Sequence, residues 1–136
     1  MNTREQGDLG EVSAIEWLAG RGAPVYIPVG HSPDVDLVTW WDGRFAGVQV
    51  KTSRYLTPQR NYSVAVCTRG GNQSWNKIVK RFDATRCDYL FALLADGRRW
   101  FIPSGAVEAT TSIVLGGPKY AEFEVEPGRP FLAPAA

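Results

Sequence analysis

The chain has 136 residues, 44% of them hydrophobic and 21% charged, which is the composition of one ordinary globular domain with a real core. No apolar run approaches the roughly 18 to 20 residues of a membrane span, and the polar start Met1-Asn2-Thr3-Arg4-Glu5-Gln6-Gly7-Asp8 lacks a signal peptide's apolar region. A net charge of +1 says nothing by itself about nucleic acid.

Thr3-Arg4-Glu5-Gln6 has the form of a capping box, with Thr3 as N-cap and Gln6 reaching back. A helix from about residue 4 to residue 20 is predicted, with Gly20 and Gly22 as stops. On a helical wheel Val12, Ile15, Leu18 and Ala19 share one face, and Glu11 falls inside it; Asp8 sits one turn earlier. A carboxylate within an apolar stripe is costly unless a metal ion or a lysine compensates it. Val25 to Val29 reads as a short strand, which Pro28 restricts to an edge or a bulge. His31, the only histidine, lies in the following loop and reads as a surface residue.

Pro33 to Lys51 reads as two strands joined at Asp42-Gly43, because a type I′ turn needs positive φ at both central residues. If Trp41 pairs with Arg44, facing positions sum to 85, and Asp36 lies opposite Gln49 with Lys51 one diagonal step away. Side chains alternate along a strand, so Asp36, Gln49 and Lys51 share one face while Leu37, Val48 and Val50 take the other. A one-residue slip would scatter the cluster. Trp40 and Trp41 face opposite ways and read as core or interface residues.

Residues 57–61 read as a loop, Tyr62 to Cys67 as a strand, and Arg69-Gly70-Gly71-Asn72 as a connector. Trp75, Ile78, Val79 and Phe82 have helical spacing. Asp88 to Leu94 and Arg99 to Ile102 form a second hairpin around Asp96-Gly97. Ser104 is placed to cap a short helical turn, Ile113-Val114-Leu115 and Phe123-Glu124-Val125 are weaker strands, and the Pro- and Ala-rich residues from Glu126 to Ala136 read as a loosely held tail. Cys67 and Cys87 lack zinc-like spacing and read as reduced thiols of a cytoplasmic protein. A single domain is expected over residues 1–136, with its core at about 3–103 and an extension from about 104 to 136.

Charge is unevenly placed. From Lys51 to Arg86 there are eight basic residues and one acid, Asp83, for a net +7; the remainder carries −6. Tyr55, Tyr62, Trp75 and Phe82 are interleaved, a pattern suited to gripping a phosphate backbone. Arg54, Tyr55, Arg60, Lys77, Lys80 and Arg81 are the candidate DNA contacts. At the head of this segment, Asp36 offers a hard oxygen ligand, as do the Gln49 amide, the Val50 carbonyl and Glu11. Lys51 is suited to orient a water or to stabilise transition-state charge. Acids, an amide and a lysine so gathered suggest a metal-dependent phosphodiesterase site.

Gly7-x-x-Gly10-Glu11 on a first helix, then Asp36-Leu37-Val38, then Gln49-Val50-Lys51-Thr52, resembles the PD-(D/E)xK nuclease superfamily. The resemblance implies an α/β, restriction-endonuclease-like core, a mixed sheet flanked by helices in α-β-β-β-α-β order. It is similar to archaeal Holliday junction resolvases in its helix-1 glutamate. The glutamine-x-lysine variant, with Asp88-Tyr89-Leu90-Phe91 and Trp100-Phe101-Ile102-Pro103, looks most like small homing endonucleases encoded in group I introns. The resemblance implies Glu11 as the helix-1 acid, Asp36 as the metal ligand, Gln49 in the usual acid's place and Lys51 as the catalytic lysine. It further implies Mg²⁺ (with Mn²⁺ substituting), a DNA partner, a homodimer or higher homo-oligomer, and a cytoplasmic or nucleoid location. Two departures stand out: Gln49 is neutral, and the literal Pro-Asp pair is Pro33-Asp34. Asp34 shares the parity of Asp36, but the hairpin register favours Asp36. The expectation is a metal-dependent DNA endonuclease of homing type. The alternatives are a Holliday junction resolvase, a restriction or repair nuclease, or a catalytically inactive DNA-binding module.

Overall fold

A computed structural model describes residues 1–30, 32–69 and 79–132. Helix α1 spans Thr3–Gly20. The strands are β1 (Val25–Tyr26), β2 (Leu37–Trp41), β3 (Arg44–Ser53), β4 (Tyr55–Leu56), β5 (Tyr62–Ala65), β6 (Thr68–Arg69), β7 (Val79–Lys80), β8 (Tyr89–Leu94), β9 (Arg99–Pro103), β10 (Ser112–Leu115) and β11 (Glu124–Val125). Short 3₁₀ turns cover Ser104–Ala106 and Ala121–Phe123.

The main sheet has six strands in the order β1-β2-β3-β8-β9-β11. Only β3 and β8 run parallel; every other neighbouring pair is antiparallel. This is the mixed α/β sheet of a restriction-endonuclease-like fold. The turn residues Asp42 (φ 50°) and Gly43 (φ 80°) both sit in the left-handed region, and that turn sets the register Trp41↔Arg44 through Leu37↔Val48. The second hairpin turns differently: only Gly97 (φ 92°) is left-handed, and Leu94 N–H donates to Arg98 O (2.9 Å) across a three-residue loop.

Two layers cover the sheet. On one face Ala14, Trp17 and Leu18 of α1 pack on Leu37, Val48, Phe91, Leu93 and Phe101. Trp17 stands 5.0 Å from the Phe101 ring and 5.5 Å from Trp41. Full burial of a side chain such as Leu18 is worth about 1.5–3 kcal/mol. On the other face Leu90, Ala92, Leu94, Trp100 and Ile102 meet Tyr62, Val64, Ile113 and Leu115 of a second sheet, ordered β10-β5-β4. A parallel pair needs a crossover connection. Here residues 54–88 make it, and its described parts are strands and loops.

Several local expectations need correction. The N-cap of α1 is Asn2, whose side chain accepts from Glu5 N (2.8 Å), and not Thr3. The buried face of α1 is Gln6, Gly10, Ala14, Trp17 and Leu18; Val12 is 60% exposed. The wheel gave the period but not the orientation, which tertiary packing set. The helix expected through Trp75 and Ile78 falls on residues outside those described, as does His31; its described end, Val79–Lys80, is a strand paired with Thr68–Arg69. Ser104 does not cap its turn but meets Cys87 Sγ at 3.3 Å. The tail is tied down as far as Leu132: Gly128 N–H donates to Gly97 O (2.7 Å) and Phe131 N–H to Ala95 O (3.1 Å). Arg99, 3% exposed, donates to Glu126 O (2.7 Å) and bridges to Glu16.

Candidate active site

Three elements converge where β2 begins. The β2–β3 ladder stops at Leu37↔Val48, one residue short of Asp36. There Asp36 N–H donates to Val48 O (2.9 Å), and the Asp36 carboxylate accepts from Val50 N–H (2.7 Å). The Asp36 carboxylate therefore takes a backbone N–H within β3, next to Gln49, and the expected ladder pair Asp36↔Gln49 does not form.

Gln49 and Lys51 pair with Leu90 and Ala92 of β8 and share their side of the sheet, opposite α1. Gln49 is 6% exposed, and its side-chain amide makes no hydrogen bond among the described residues. Lys51 Nζ donates to Cys67 O at 3.3 Å. Burial pushes the Lys51 ammonium below the ordinary lysine range, and the Asp36 charge partly opposes this. Glu11 reaches the same region from α1. Its pKa is raised, first by burial and then by the negative charges of Asp36 and Asp8.

Asp34 belongs elsewhere. Its Oδ2 accepts from Lys80 Nζ and Arg86 Nε, each at 2.8 Å, and these cations hold its pKa down. Lys80 and Arg86 thus share one carboxylate, and the cluster keeps a net positive charge. Arg54, Tyr55 (67% exposed), Arg60 and Arg81 stand in solvent, while Lys77 lies outside the described residues. The described residues hold no group of three or more His, Cys, Asp or Glu side chains that could hold a metal ion. The oxygen donors here are two carboxylates, one amide and backbone carbonyls, a set suited to a hard cation that keeps several waters.

A contact between Gln6 and Thr52 was missed in the sequence: Gln6 Nε2 donates to Thr52 Oγ1 at 2.8 Å. Gly10 was its signal. A glycine inside a helix is unfavourable by about 0.8–1.0 kcal/mol relative to alanine, and here it permits close approach to Thr52 and Val50.

A mixed sheet with an acid at the head of its second strand and a lysine on its third defines a nuclease-type core. The chain belongs to the PD-(D/E)XK endonuclease family, whose model matches residues 1–120. The solved structure of a bacterial homing endonuclease, I-Ssp6803I, is similar with a TM-score of 0.78 at 22% identity, over 91% of this chain and 89% of that chain. At that identity the likeness shows the fold. A comparison with curated proteins gives no match. Among the described residues no helix is long and apolar enough to cross a membrane.

Proposed function

We propose that the chain is a divalent-metal-dependent DNA endonuclease acting, like a homing endonuclease, on duplex DNA, with Glu11, Asp36, Gln49 and Lys51 as its site. The carrying observation is the electrostatic convergence of Glu11, Asp36 and Lys51 from α1, the start of β2, and β3. The Asp36 charge disfavours ionised Glu11, and a cation held between the two would relieve that repulsion. Asp36, Glu11, the Gln49 amide oxygen and the Val50 carbonyl would hold Mg²⁺, or Mn²⁺ in its place. When bound, that ion supplies charge neutralisation at the phosphodiester.

The protein's own groups account for the remaining steps. Lys51, held over Cys67 O and facing the field of Asp36, orients a water or places positive charge against the transition state. Its lowered pKa makes the neutral amine more accessible than in a surface lysine, so it is better able to accept a proton. The neutral Gln49 leaves the site one charge short of an acid's and weakens its hold on a hard cation. Arg54, Tyr55, Arg60, Arg81, Lys80 and Lys77 contact the DNA backbone. A homodimer or higher assembly gives one site for each strand.

The test is plasmid nicking in Mg²⁺ or Mn²⁺ by wild type, Asp36→Ala and Lys51→Ala. Both variants are expected to bind DNA without cutting it. Undiminished cleavage by both would remove the site assignment. Salt-sensitive binding without cleavage by wild type would mark a non-catalytic DNA-binding module, the alternative that the neutral Gln49 raises. Preference for a four-way junction over duplex would point to a resolvase, and cleavage at a short defined site to a restriction or repair nuclease.

A further inference from the structure

We propose that Gln6 and Thr52 are positioning residues for the candidate site: their hydrogen bond fixes the half of α1 that carries Glu11 against the strand that carries Gln49 and Lys51. The inference rests on the metal-dependent reading above and adds a determinant of the same site.

The two halves of α1 are held differently. Its apolar anchors Ala14, Trp17 and Leu18 all lie C-terminal to Glu11. From Thr3 to Glu11 only Gln6 and Gly10 are buried. They are four residues apart and so share one helix face, and both meet the same threonine. Gln6 Nε2 donates to Thr52 Oγ1 at 2.8 Å. A Cβ added at Gly10 would stand 2.5 Å from Thr52 Cγ2, so the helix backbone is seated on that methyl group.

Thr52 follows Lys51 directly, and strand alternation turns the two side chains to opposite faces. One threonine therefore ties the Glu11 half of the helix to the backbone of the Lys51 strand. An apolar contact at this place would tolerate sliding. A hydrogen bond weakens steeply with distance and angle and so fixes register. Gln6 and Thr52 do not enter the site; they set where Glu11 stands relative to Asp36 and Lys51.

The experiment titrates Mn²⁺ into DNA-free protein and follows the free ion by electron paramagnetic resonance. The proteins are wild type, Asp36→Asn, Gln6→Met, Thr52→Val, the Gln6→Met/Thr52→Val double variant and Thr52→Ser. Gln6→Met keeps length, and Thr52→Val keeps the methyl group beneath Gly10. Each is expected to weaken Mn²⁺ binding about tenfold or more, the usual range for groups that orient a ligand. The double variant should be no weaker than the singles, because one bond is lost once. Thr52→Ser, which keeps the hydroxyl, should bind like wild type. In plasmid nicking kcat should fall while KM for the plasmid stays unchanged. Wild-type Mn²⁺ affinity in Gln6→Met and Thr52→Val overturns the proposal, as does a loss that Thr52→Ser shares. If Gln6→Met does not fold, the two Thr52 variants decide. When Asp36→Asn abolishes binding but the positioning variants leave it intact, the metal site stands and this inference alone fails. When wild type shows no Asp36-dependent Mn²⁺ binding, both fail.

Discussion

Gly10→Ala separates stability from positioning. The new Cβ would lie 2.5 Å from Thr52 Cγ2 and 3.1 Å from Val50 Cγ1. Carbon atoms need about 3.5 Å, so helix and strand must part by about 1 Å at this point. Neither neighbour is the far end of a flexible side chain, because both methyl groups sit on β-branched carbons. Overpacking of this kind costs about 1–3 kcal/mol. Alanine returns about 0.8–1.0 kcal/mol of helix propensity. The expected net loss is about 1 kcal/mol, read as a lower urea midpoint at unchanged m-value. Activity should fall much further, because a 1 Å displacement of a positioned group can cost about 100-fold. The assays are urea unfolding and plasmid nicking at saturating Mg²⁺. An alanine variant at least as stable as wild type and fully active would refute the tight helix–strand contact and its role in placing Glu11.

Three further outcomes are expected. Gln49→Glu should tighten Mn²⁺ binding, because an added charge suits a hard cation; an unchanged affinity would show that Gln49 is not a ligand. Asp34→Asn should lower the thermal midpoint at neutral pH. The Asp34 pKa is depressed by Lys80 and Arg86, so its contribution is present above the ordinary carboxylate range and lost as pH falls through the lowered native value; a deficit that persists below that value would exclude the ion pair as its source. Arg99→Leu removes donors to the carbonyls of Glu126 (2.7 Å) and Pro127 (3.3 Å) and to Glu16. It should cost about 1–3 kcal/mol and speed proteolysis beyond Glu126; an unchanged digestion pattern would assign the tether to Phe131 and the backbone bonds at Ala95.

The sequence by itself determined what local chemistry specifies. Asp42-Gly43 and Asp96-Gly97 name their own turns, and turn type fixes register, so the ladder from Trp41↔Arg44 to Leu37↔Val48 and the shared face of Gln49 and Lys51 were legible. The spacing of Glu11, Asp36 and Gln49-x-Lys51 likewise pointed to the family that the chain belongs to. Tertiary structure decided what depends on distant neighbours. Helical period is local, but the face turned inward depends on where the sheet lies; hence Val12 is in solvent and Gln6 is buried on Thr52. The ladder ends before Asp36 because its carboxylate takes the Val50 N–H, a competition that strand parity does not contain. Asp34 and Asp36 are alike in sequence and parity; ion pairs with Lys80 and Arg86, 46 and 52 residues away, separate them. The tail's composition reads as loose, yet Arg99 holds its carbonyls, because a buried guanidinium must find acceptors wherever the fold brings them.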